Sequence, residues 1–232
     1  MLQALERWVP KTEIGKQVKA KTITNFGDVV NTGKPILEQE IVDSLLPELS
    51  VELLNVGQSK GKFGGGKKSI WKQTQKKTNE GNKPTFAAMA AVGNREGYVG
   101  LGYGKAKETM PAREKATRMA KLNLISVRRG CGSWACGCKH AHSVPFTVEG
   151  KSGSVIIRLM PAPRGTSLKV NKECQTMLEL AGIKDVYSKT KGKTSTKINL
   201  IMACFNALKE LNAMKLNETQ LKELKIVEKA NT

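Results

Sequence analysis

The sequence predicts an α+β protein of two domains. Two strand-turn-strand patterns, over residues 85–103 and 144–160, are each followed by apolar residues at helical spacing, and a Gly- and Cys-rich segment separates them. Apolar runs bounded by Gly and Asn indicate strands, whereas apolar residues three and four positions apart indicate helices. Hydrophobic residues make up 39% of the 232 positions, which is enough for a packed core and excludes a wholly disordered polycation.

Residues 1–48 are predicted to form an N-terminal extension, with a helix over 36–46 that Pro47 ends. The first domain follows over residues 49–126 and opens with a short strand at 51–56. Residues 58–83 then lack any apolar periodicity and are rich in Lys, Gly, Gln and Thr. We expect a long basic loop, and a connection of this length is commonly functional or disordered.

The first domain is predicted to continue with strands over 85–92 and 98–103. A helix follows, with Thr109 as its predicted cap and Pro111 in its first turn. The inward stripe of this helix is predicted to be Ala112, Ala116, Met119 and Ala120, and its outer face Lys115, Arg118 and Lys121.

The returning strand carries Gly100, Gly102 and Gly104 before Lys105. The spacing excludes a nucleotide-binding P-loop, because Val99 stands where the first glycine would be needed and no Ser or Thr follows the lysine. A strand without Cβ atoms lets another backbone approach closely, and we expect that backbone to be RNA.

A linker over residues 127–143 leads to the second domain, over 144–214. Strands are predicted at 144–149 and 154–160, and helices at 174–181, closed by Gly182, and 201–211. Cys174 and Cys204 are predicted to be small core residues. Residues 215–232 are predicted to be a mobile tail.

Charge is concentrated in three stretches. The chain has 39 Lys and Arg against 20 Asp and Glu, a net charge of +19. Residues 58–83, 105–129 and 184–197 supply most of this excess, while residues 1–57 are slightly acidic. A solvated face is the alternative for a single run, but three separate runs favour a surface that binds a polyanion, first of all a nucleic acid.

Nothing in the sequence indicates export or a membrane. The first residues lack the apolar stretch of a signal peptide, and no apolar run approaches the ~18 residues of a membrane span. Three of the five cysteines lie within eight positions, which is unlike a disulfide framework. We therefore expect a cytosolic protein.

The segment Cys131-x4-Cys136-x-Cys138-x-His140-x-His142 carries the sharpest local chemistry. Thiolates and imidazoles are zinc ligands. The spacing is not that of a standard zinc finger, and the segment must curl for several of these side chains to meet one ion. The alternative is a reduced thiol cluster with a histidine facing RNA.

Four stretches together resemble the universal small-subunit ribosomal protein five family in its archaeal form. They are residues 91–108 (AVGNREGYVGLGYGKAKE), 127–134 (VRRGCGSW), 161–166 (PAPRGT) and 180–186 (LAGIKDV). Residues 5–10 (LERWVP) look like the leader of archaeal and eukaryotic members. The similarity spans about residues 5–212.

The resemblance implies a first domain similar to a double-stranded-RNA-binding fold, with three strands plus a helix, and a second domain that is a β-β-α-β-α sandwich. It implies a structural, non-enzymatic constituent of the cytoplasmic ribosome that binds small-subunit rRNA. It also implies contacts with ribosomal proteins four and eight. With proteins three and four, family members line the channel through which mRNA enters and influence decoding accuracy. The alternatives are a zinc-dependent RNA-modifying enzyme and a free RNA chaperone.

The family places a Gly-Gly-Arg-Arg element in rRNA, and residues 65–68 (GGKK) look like its counterpart. Lysine in place of arginine keeps the charge but loses the bidentate fork. The polar stretch 70–83 is an addition to the pattern, and two alternatives stay open for it: contact with incoming mRNA, or docking on an rRNA surface particular to this lineage.

The charge distribution and the resemblance nominate two sets of residues. The RNA-binding set is Lys60, Lys62, Gly65, Gly66, Lys67, Lys68, Lys72, Lys76, Lys77, Arg95, Lys105, Lys107, Lys115, Arg118, Lys121, Arg128, Arg129, Arg164, Lys189, Lys191 and Lys193. The zinc-binding set is Cys131, Cys136, Cys138 and His142, with His140 as a competing fourth ligand.

Overall fold

The structure of the protein is a computed structural model that describes residues 7–58, 68–138 and 140–227. The helices are α1 (Glu13–Lys19), α2 (Phe26–Asn31), α3 (Gln39–Leu45), α4 (Thr109–Leu122), α5 (Lys172–Leu180), α6 (Lys197–Ala213) and α7 (Glu218–Glu223). The strands are β1 (Ser50–Leu54), β2 (Lys72–Thr78), β3 (Gly81–Gly93), β4 (Tyr98–Ala106), β5 (Leu124–Ser126), β6 (Val148–Ser152), β7 (Val155–Pro161), β8 (Leu168–Lys169) and β9 (Val186–Lys191).

The first sheet is antiparallel and built around β3, a strand of thirteen residues whose part from Phe86 to Gly93 pairs with β4 along one edge. On the other edge β1 pairs with the end of β3 and β2 with its beginning. β5 completes the sheet beside β4. The α+β prediction for this domain is confirmed, with a sheet larger than the three strands expected.

The prediction of a continuous loop over 58–83 was wrong for its second half. β2 pairs with β3 from Lys72 opposite Ala87 to Thr78 opposite Gly81, so that residues 72–87 form a hairpin with a two-residue turn. All but the first and last side chains of β2 are exposed. A strand with no buried face has no apolar alternation, and its pairing comes from β3 alone, which is why the sequence pattern did not indicate it.

Helix α4 packs against the glycines of β4. A Cβ on Gly102 would overlap the backbone oxygen of Ala116, and a Cβ on Gly104 would overlap that of Ala112. The expectation that these glycines receive an RNA backbone was therefore wrong, because the close approach is made by the protein's own helix. The predicted inward alanines of α4 are confirmed as buried.

Two residues of α4 lie elsewhere than predicted. Met119, expected inside, is 39% exposed. Lys121, expected on the outer face, is only 9% exposed, and its Nζ lies 2.5 Å from Oδ1 of Asp43 in α3. The N-terminal extension covers this part of α4, which converts a surface position into a buried one.

The N-terminal extension belongs to the first domain's core. Its apolar residues, including Phe26 and Ile41, form one cluster with the α4 face of the sheet. Phe26 meets Tyr98 edge to face, with ring centroids 5.0 Å apart. Glu38 accepts hydrogen bonds from Trp8 Nε1 at 2.7 Å and from the backbone N–H of Thr12 at 2.7 Å. The helix predicted over 36–46 is confirmed as α3.

The second sheet has the strand order β6-β7-β9-β8, with β8 parallel to β9 and the other pairs antiparallel. α5 and α6 pack on it, so the predicted sandwich is confirmed, with the two-residue β8 as an addition. Cys174 and Cys204 are fully buried, as predicted. Gly182 follows α5 with φ of +79°, the conformation in which a glycine commonly ends a helix.

One hydrophobic cluster joins the two domains. Met89, Ala91 and Leu101, from the face of the first sheet opposite α4, pack with the apolar residues of the second sheet and its helices. The turn after β3 is fixed to the second domain as well, since the backbone N–H of Arg95 donates to Leu180 O at 2.9 Å. The second half of β3 and the first half of β4 are therefore covered by protein on both faces, whereas β2 and the start of β3 stay exposed.

The segment predicted as a mobile tail is attached to the linker where the structure describes it. Val227 forms an antiparallel bridge with Arg129, and Leu224 O accepts from the backbone N–H of Cys131 at 3.0 Å. α7 lies in this segment.

Candidate metal centre and nucleic-acid interface

Four side chains of the linker converge. Sγ of Cys131, Cys136 and Cys138 and a ring nitrogen of His142 all lie within 4.8 Å of one another. The Sγ atoms of Cys131 and Cys138 are 3.7 Å apart, those of Cys136 and Cys138 are 3.1 Å apart, and Cys136 Sγ is 3.7 Å from His142 Nε2.

Backbone pairing closes the segment into a loop. Gly130 and Ser143 exchange two hydrogen bonds, of 2.9 and 3.0 Å, so the two ends of residues 131–142 lie side by side. Gly132 packs so closely on the backbone of Pro145 that a Cβ there would overlap it. The contacts at the base of the loop thus bend the segment back on itself, as its Cys and His side chains require in order to reach one ion.

His142 is oriented by a residue of the second domain. Its Nδ1 lies 2.8 Å from Oδ2 of Asp185, and both side chains are buried. The other carboxylate oxygen of Asp185 accepts from the backbone N–H groups of Gly165, at 3.1 Å, and Ser167, at 2.8 Å. Sequence reasoning missed Asp185, although it lies in the 180–186 stretch, because 43 positions separate it from His142.

The thiols differ in acidity. Hydrogen bonds from backbone N–H groups, first that of Arg164 and then that of Cys138, lower the pKa of Cys136 to about 6. Desolvation, with hydrogen bonds to Cys138 and Cys136, raises the pKa of Cys131 to about 11. A thiolate at Cys136 gives an incoming cation a first ligand, and the remaining thiols lose their protons as the metal binds.

The donor set fits zinc. Ligand sulfurs around a tetrahedral zinc with ~2.3 Å bonds lie ~3.7 Å apart, close to the spacing in the loop. Three sulfurs and one imidazole complete the four positions of a structural site, and the Asp185 contact leaves Nε2 as the ligand atom of His142. His140 is exposed and outside this group of donors.

The predicted RNA-binding cations divide by burial. Lys68 and Lys72 are half-buried. The exposed members are Lys76, Lys77, Arg95, Lys105, Lys107, Lys115, Arg118, Arg164, Lys189, Lys191 and Lys193. Within the described ranges, none of these exposed cations forms an ion pair with an acidic side chain.

Three predicted RNA-binding residues contact protein groups. Lys121 pairs with Asp43, as described. Arg128 donates to the carbonyls of Leu211, at 3.1 Å, and Met214, at 2.6 Å, at the end of α6. Arg129 donates to Glu96 O at 2.5 Å, and desolvation lowers its pKa. These contacts hold the linker against both domains, so we leave the three residues out of the interface proposed below.

Five residues of the predicted RNA-binding set fall outside the described residues. They are Lys60, Lys62, Gly65, Gly66 and Lys67. In the part of the chain that is described, no helix has the length and apolar character needed to cross a membrane.

Comparison with known proteins identifies the family. The model of the ribosomal protein S5 N-terminal domain matches residues 70–128, and that of the ribosomal protein S5 C-terminal domain matches residues 150–223.

Curated relatives extend the similarity over nearly the whole chain, and each of the three that follow is named small ribosomal subunit protein uS5. The relative from Methanobrevibacter smithii is 47% identical over 95% of this chain and 96% of its own. That from Pyrobaculum aerophilum is 48% identical over 91% of this chain and 90% of its own, and that from Methanocaldococcus jannaschii is 45% identical over 97% and 96%. Because both halves of the chain match and the relatives are archaeal, this chain belongs to the ribosomal protein S5 family and resembles its archaeal members.

Proposed function

We propose that this chain is a structural constituent of the small ribosomal subunit and binds small-subunit rRNA through its exposed cations. The observation that carries the proposal is the set of exposed Lys and Arg side chains that no acidic group in the described residues neutralises. A surface of this kind gains affinity for phosphate by releasing counterions from the nucleic acid.

Several elements supply this surface. The outer face of α4 carries Lys115 and Arg118, and β9 with the following turn carries Lys189, Lys191 and Lys193. The hairpin of β2 and β3 adds Lys76 and Lys77. The helix and the strands are fixed by packing and pairing, which suits a folded rRNA partner.

The charges of the hairpin support an anionic partner. Lys76 lies directly opposite Lys83 in the register, and like charges at such a position destabilise a strand pair. Glu80 offsets one of them through its 2.6 Å contact with Lys83. Phosphate groups close to Lys76 would reduce the remaining repulsion between Lys76 and Lys83. The hairpin would therefore be more stable against RNA than in water.

The resemblance extends this role to contacts with ribosomal proteins four and eight. It also places family members, with proteins three and four, beside incoming mRNA, where decoding accuracy is influenced. We propose these contacts for this chain on the strength of its family membership. β2 is paired with β3 and is not a free loop. Any contact of this hairpin with mRNA must therefore be made by side chains on a strand whose backbone is held in place.

Zinc completes the proposal. Cys131, Cys136, Cys138 and His142 would hold the ion, which would supply four bonds that fasten the linker between the two domains. A catalytic zinc site keeps one position open for water or substrate, whereas the four protein donors here would fill all four positions of the ion.

A zinc-dependent RNA-modifying enzyme, the alternative, would need a free carboxylate or another base beside the zinc, and the buried carboxylate that the described residues place there is already engaged. The buried Asp185 is engaged by His142 and by two backbone N–H groups, which suits a positioning role rather than proton transfer. The alternative of a free RNA chaperone is disfavoured by the similarity to ribosomal proteins over the whole chain.

The test is binding of the purified chain to transcribed small-subunit rRNA over a range of salt concentrations, with co-sedimentation of the chain with small subunits after a high-salt wash. We expect tight binding with a steep salt dependence and retention on the subunits. Binding equal to that of an unrelated basic protein, with release at high salt, would contradict the proposal.

A further inference from the structure

Residues 131–142, which carry the four zinc donors, form what we call the metal-ligand loop. Trp134 lies on the outside of this loop, and its side chain is 99% exposed. It is the most exposed of the large apolar side chains in the described residues. Indole rings are seldom left in water, because they carry a large apolar surface and are usually highly buried. An indole held out in this way is a candidate contact with a partner.

The loop holds this indole on a rigid base. The Gly130–Ser143 bridge closes the loop, and the backbone N–H of Cys136 donates to Ser133 O at 3.1 Å, forming a tight turn around Trp134. The cysteine ligands on either side of the turn point inward to the same centre. Little conformational entropy remains to be lost when a projecting side chain on such a turn contacts a partner.

We propose that Trp134 stacks on an unpaired nucleobase of small-subunit rRNA. This inference rests on the rRNA binding proposed above and assigns a base contact to the metal-ligand loop. Aromatic side chains presented by small folded modules bind splayed-out bases in RNA through their flat faces.

The surroundings favour a base over a protein partner. The described neighbours in the loop are small, with Ser133 and Ala135 on either side and Gly137 nearby, where a Cβ would meet nothing within 4 Å. The indole is therefore isolated, whereas the core of a protein interface is a contiguous apolar patch. A nucleobase needs only one accessible ring face.

The local charge points the same way. Residues 127–143 contain no Asp or Glu. The backbone N–H of Arg164 is a hydrogen-bond donor to Cys136, so Arg164, an exposed residue, lies beside the loop that carries Trp134. A base stacked on Trp134 would thus have a cation available for its phosphate.

The first test measures affinity for small-subunit rRNA, using the full zinc-loaded chain and its Trp134→Ala and Trp134→Phe variants. We expect Trp134→Ala to weaken binding by about 5- to 100-fold, the usual effect of removing one base-stacking ring. Because every cation that meets phosphate is kept, the dependence of affinity on salt should stay unchanged. Trp134→Phe should retain most of the affinity, and the exposure of the side chain ensures that neither variant disturbs packing.

The second test uses fluorescence. In a variant carrying Trp8→Phe and Trp71→Phe, Trp134 is the remaining tryptophan, and its emission should be quenched when rRNA is added. Unchanged rRNA affinity in Trp134→Ala would overturn the inference while leaving the proposed rRNA binding in place. It would be overturned equally if Trp134→Ala affected only assembly with other ribosomal proteins. Failure of the unmodified chain to bind rRNA would instead overturn the proposed function, and this inference with it.

Discussion

Asp185, the residue directly before β9, forms a hydrogen bond with His142 of the linker, with 2.8 Å between Oδ2 and Nδ1. The contact is buried and joins the second domain to the metal-ligand loop. The backbone carbonyl of His142 strengthens this junction, because it accepts from the N–H groups of Lys184, at 2.8 Å, and Asp185, at 3.1 Å. Orientation of the imidazole and docking of the linker therefore depend on the same few atoms.

The first prediction concerns this carboxylate. Asp185→Asn should weaken zinc binding by roughly 10- to 100-fold. The backbone N–H groups of Gly165 and Ser167 would hold the amide oxygen, so the NH2 group, a donor, would face His142 Nδ1 in place of an acceptor. Competition with a chromophoric zinc chelator on the full chain measures the effect. Glu179→Gln is the matched control, since Glu179 is exposed and its carboxylate accepts a hydrogen bond from Gln175 and lies apart from the zinc donors. Equal zinc affinity in the two variants would contradict the role given to Asp185.

A second prediction follows for the metal itself. Removal of zinc by a chelator should make residues 127–143 sensitive to proteolysis, because four ligand bonds and the loop turn are lost together. Limited proteolysis followed by mass spectrometry locates the cuts. The Cys174→Ala variant, altered at a buried thiol outside the cluster, should bind zinc like the unmodified chain. Equal resistance of the zinc-free and zinc-loaded chains would show that backbone pairing alone orders the linker.

The candidate site was only half predictable from the sequence. Cys and His are recognisable as zinc ligands by residue type, so Cys131 and its neighbours were found without a structure. Spacing could not decide between His140 and His142, because the choice depends on the bridge between Gly130 and Ser143 and on a distant carboxylate. Burial likewise decided which cations face water, as the contacts of Lys121 show.

The third prediction concerns the packing of α4. Gly102→Ala should destabilise the chain by about 3 kcal/mol or more, because its Cβ overlaps backbone atoms of α4 and cannot be accommodated by a side-chain rotation. Chemical denaturation monitored by circular dichroism provides the free energy of unfolding. Gly137→Ala is the control, since a Cβ at Gly137 meets nothing within 4 Å. Similar stability of both variants would mean that α4 can move away from β4 at little cost.

The fourth prediction concerns the ion pair between Lys121 and Asp43. Lys121→Ala should destabilise the chain by about 3 kcal/mol, because it leaves the carboxylate of Asp43 largely buried without its partner. Arg118→Ala, at an exposed position three residues away, should change stability by less than about 0.5 kcal/mol. The double variant Lys121→Leu with Asp43→Leu should recover most of the loss. An equal effect of the two single variants would show that the extension is held by apolar packing alone.

The fold was predictable where burial produces a pattern. The buried alanines of α4 follow the helical period, and β3 and β4 contain continuous buried runs bounded by turn residues. β2 has no buried face, so it forms only because it pairs with the edge of β3. Its own sequence therefore carries no apolar pattern that predicts a strand. The glycines of β4 gave a correct signal of close approach, but only the tertiary structure shows that α4 is the approaching partner.

The last prediction concerns the β2–β3 hairpin. Replacing Lys72, Lys76 and Lys77 together by Ala should weaken rRNA binding and reduce its salt slope by about 0.7 to 0.9 for each phosphate that the chain no longer neutralises. The control is Lys34→Ala, because Lys34 is exposed in the slightly acidic extension and pairs with Glu13 at 3.6 Å. An unchanged slope in the triple variant would show that these lysines protect a solvated strand edge without contacting phosphate.

The same hairpin allows a test between the two RNA partners that its sequence left open, incoming mRNA and an rRNA surface. A photoreactive group at Lys76, in small subunits assembled with this chain and programmed with mRNA, should crosslink to mRNA if the hairpin lies beside the channel. Lysine ammonium groups bind phosphate as point charges without the bidentate grip of arginine, which suits a strand that must slide. Crosslinks to rRNA alone would place the hairpin on a fixed rRNA surface instead, and decoding accuracy should then be unaffected by the triple variant.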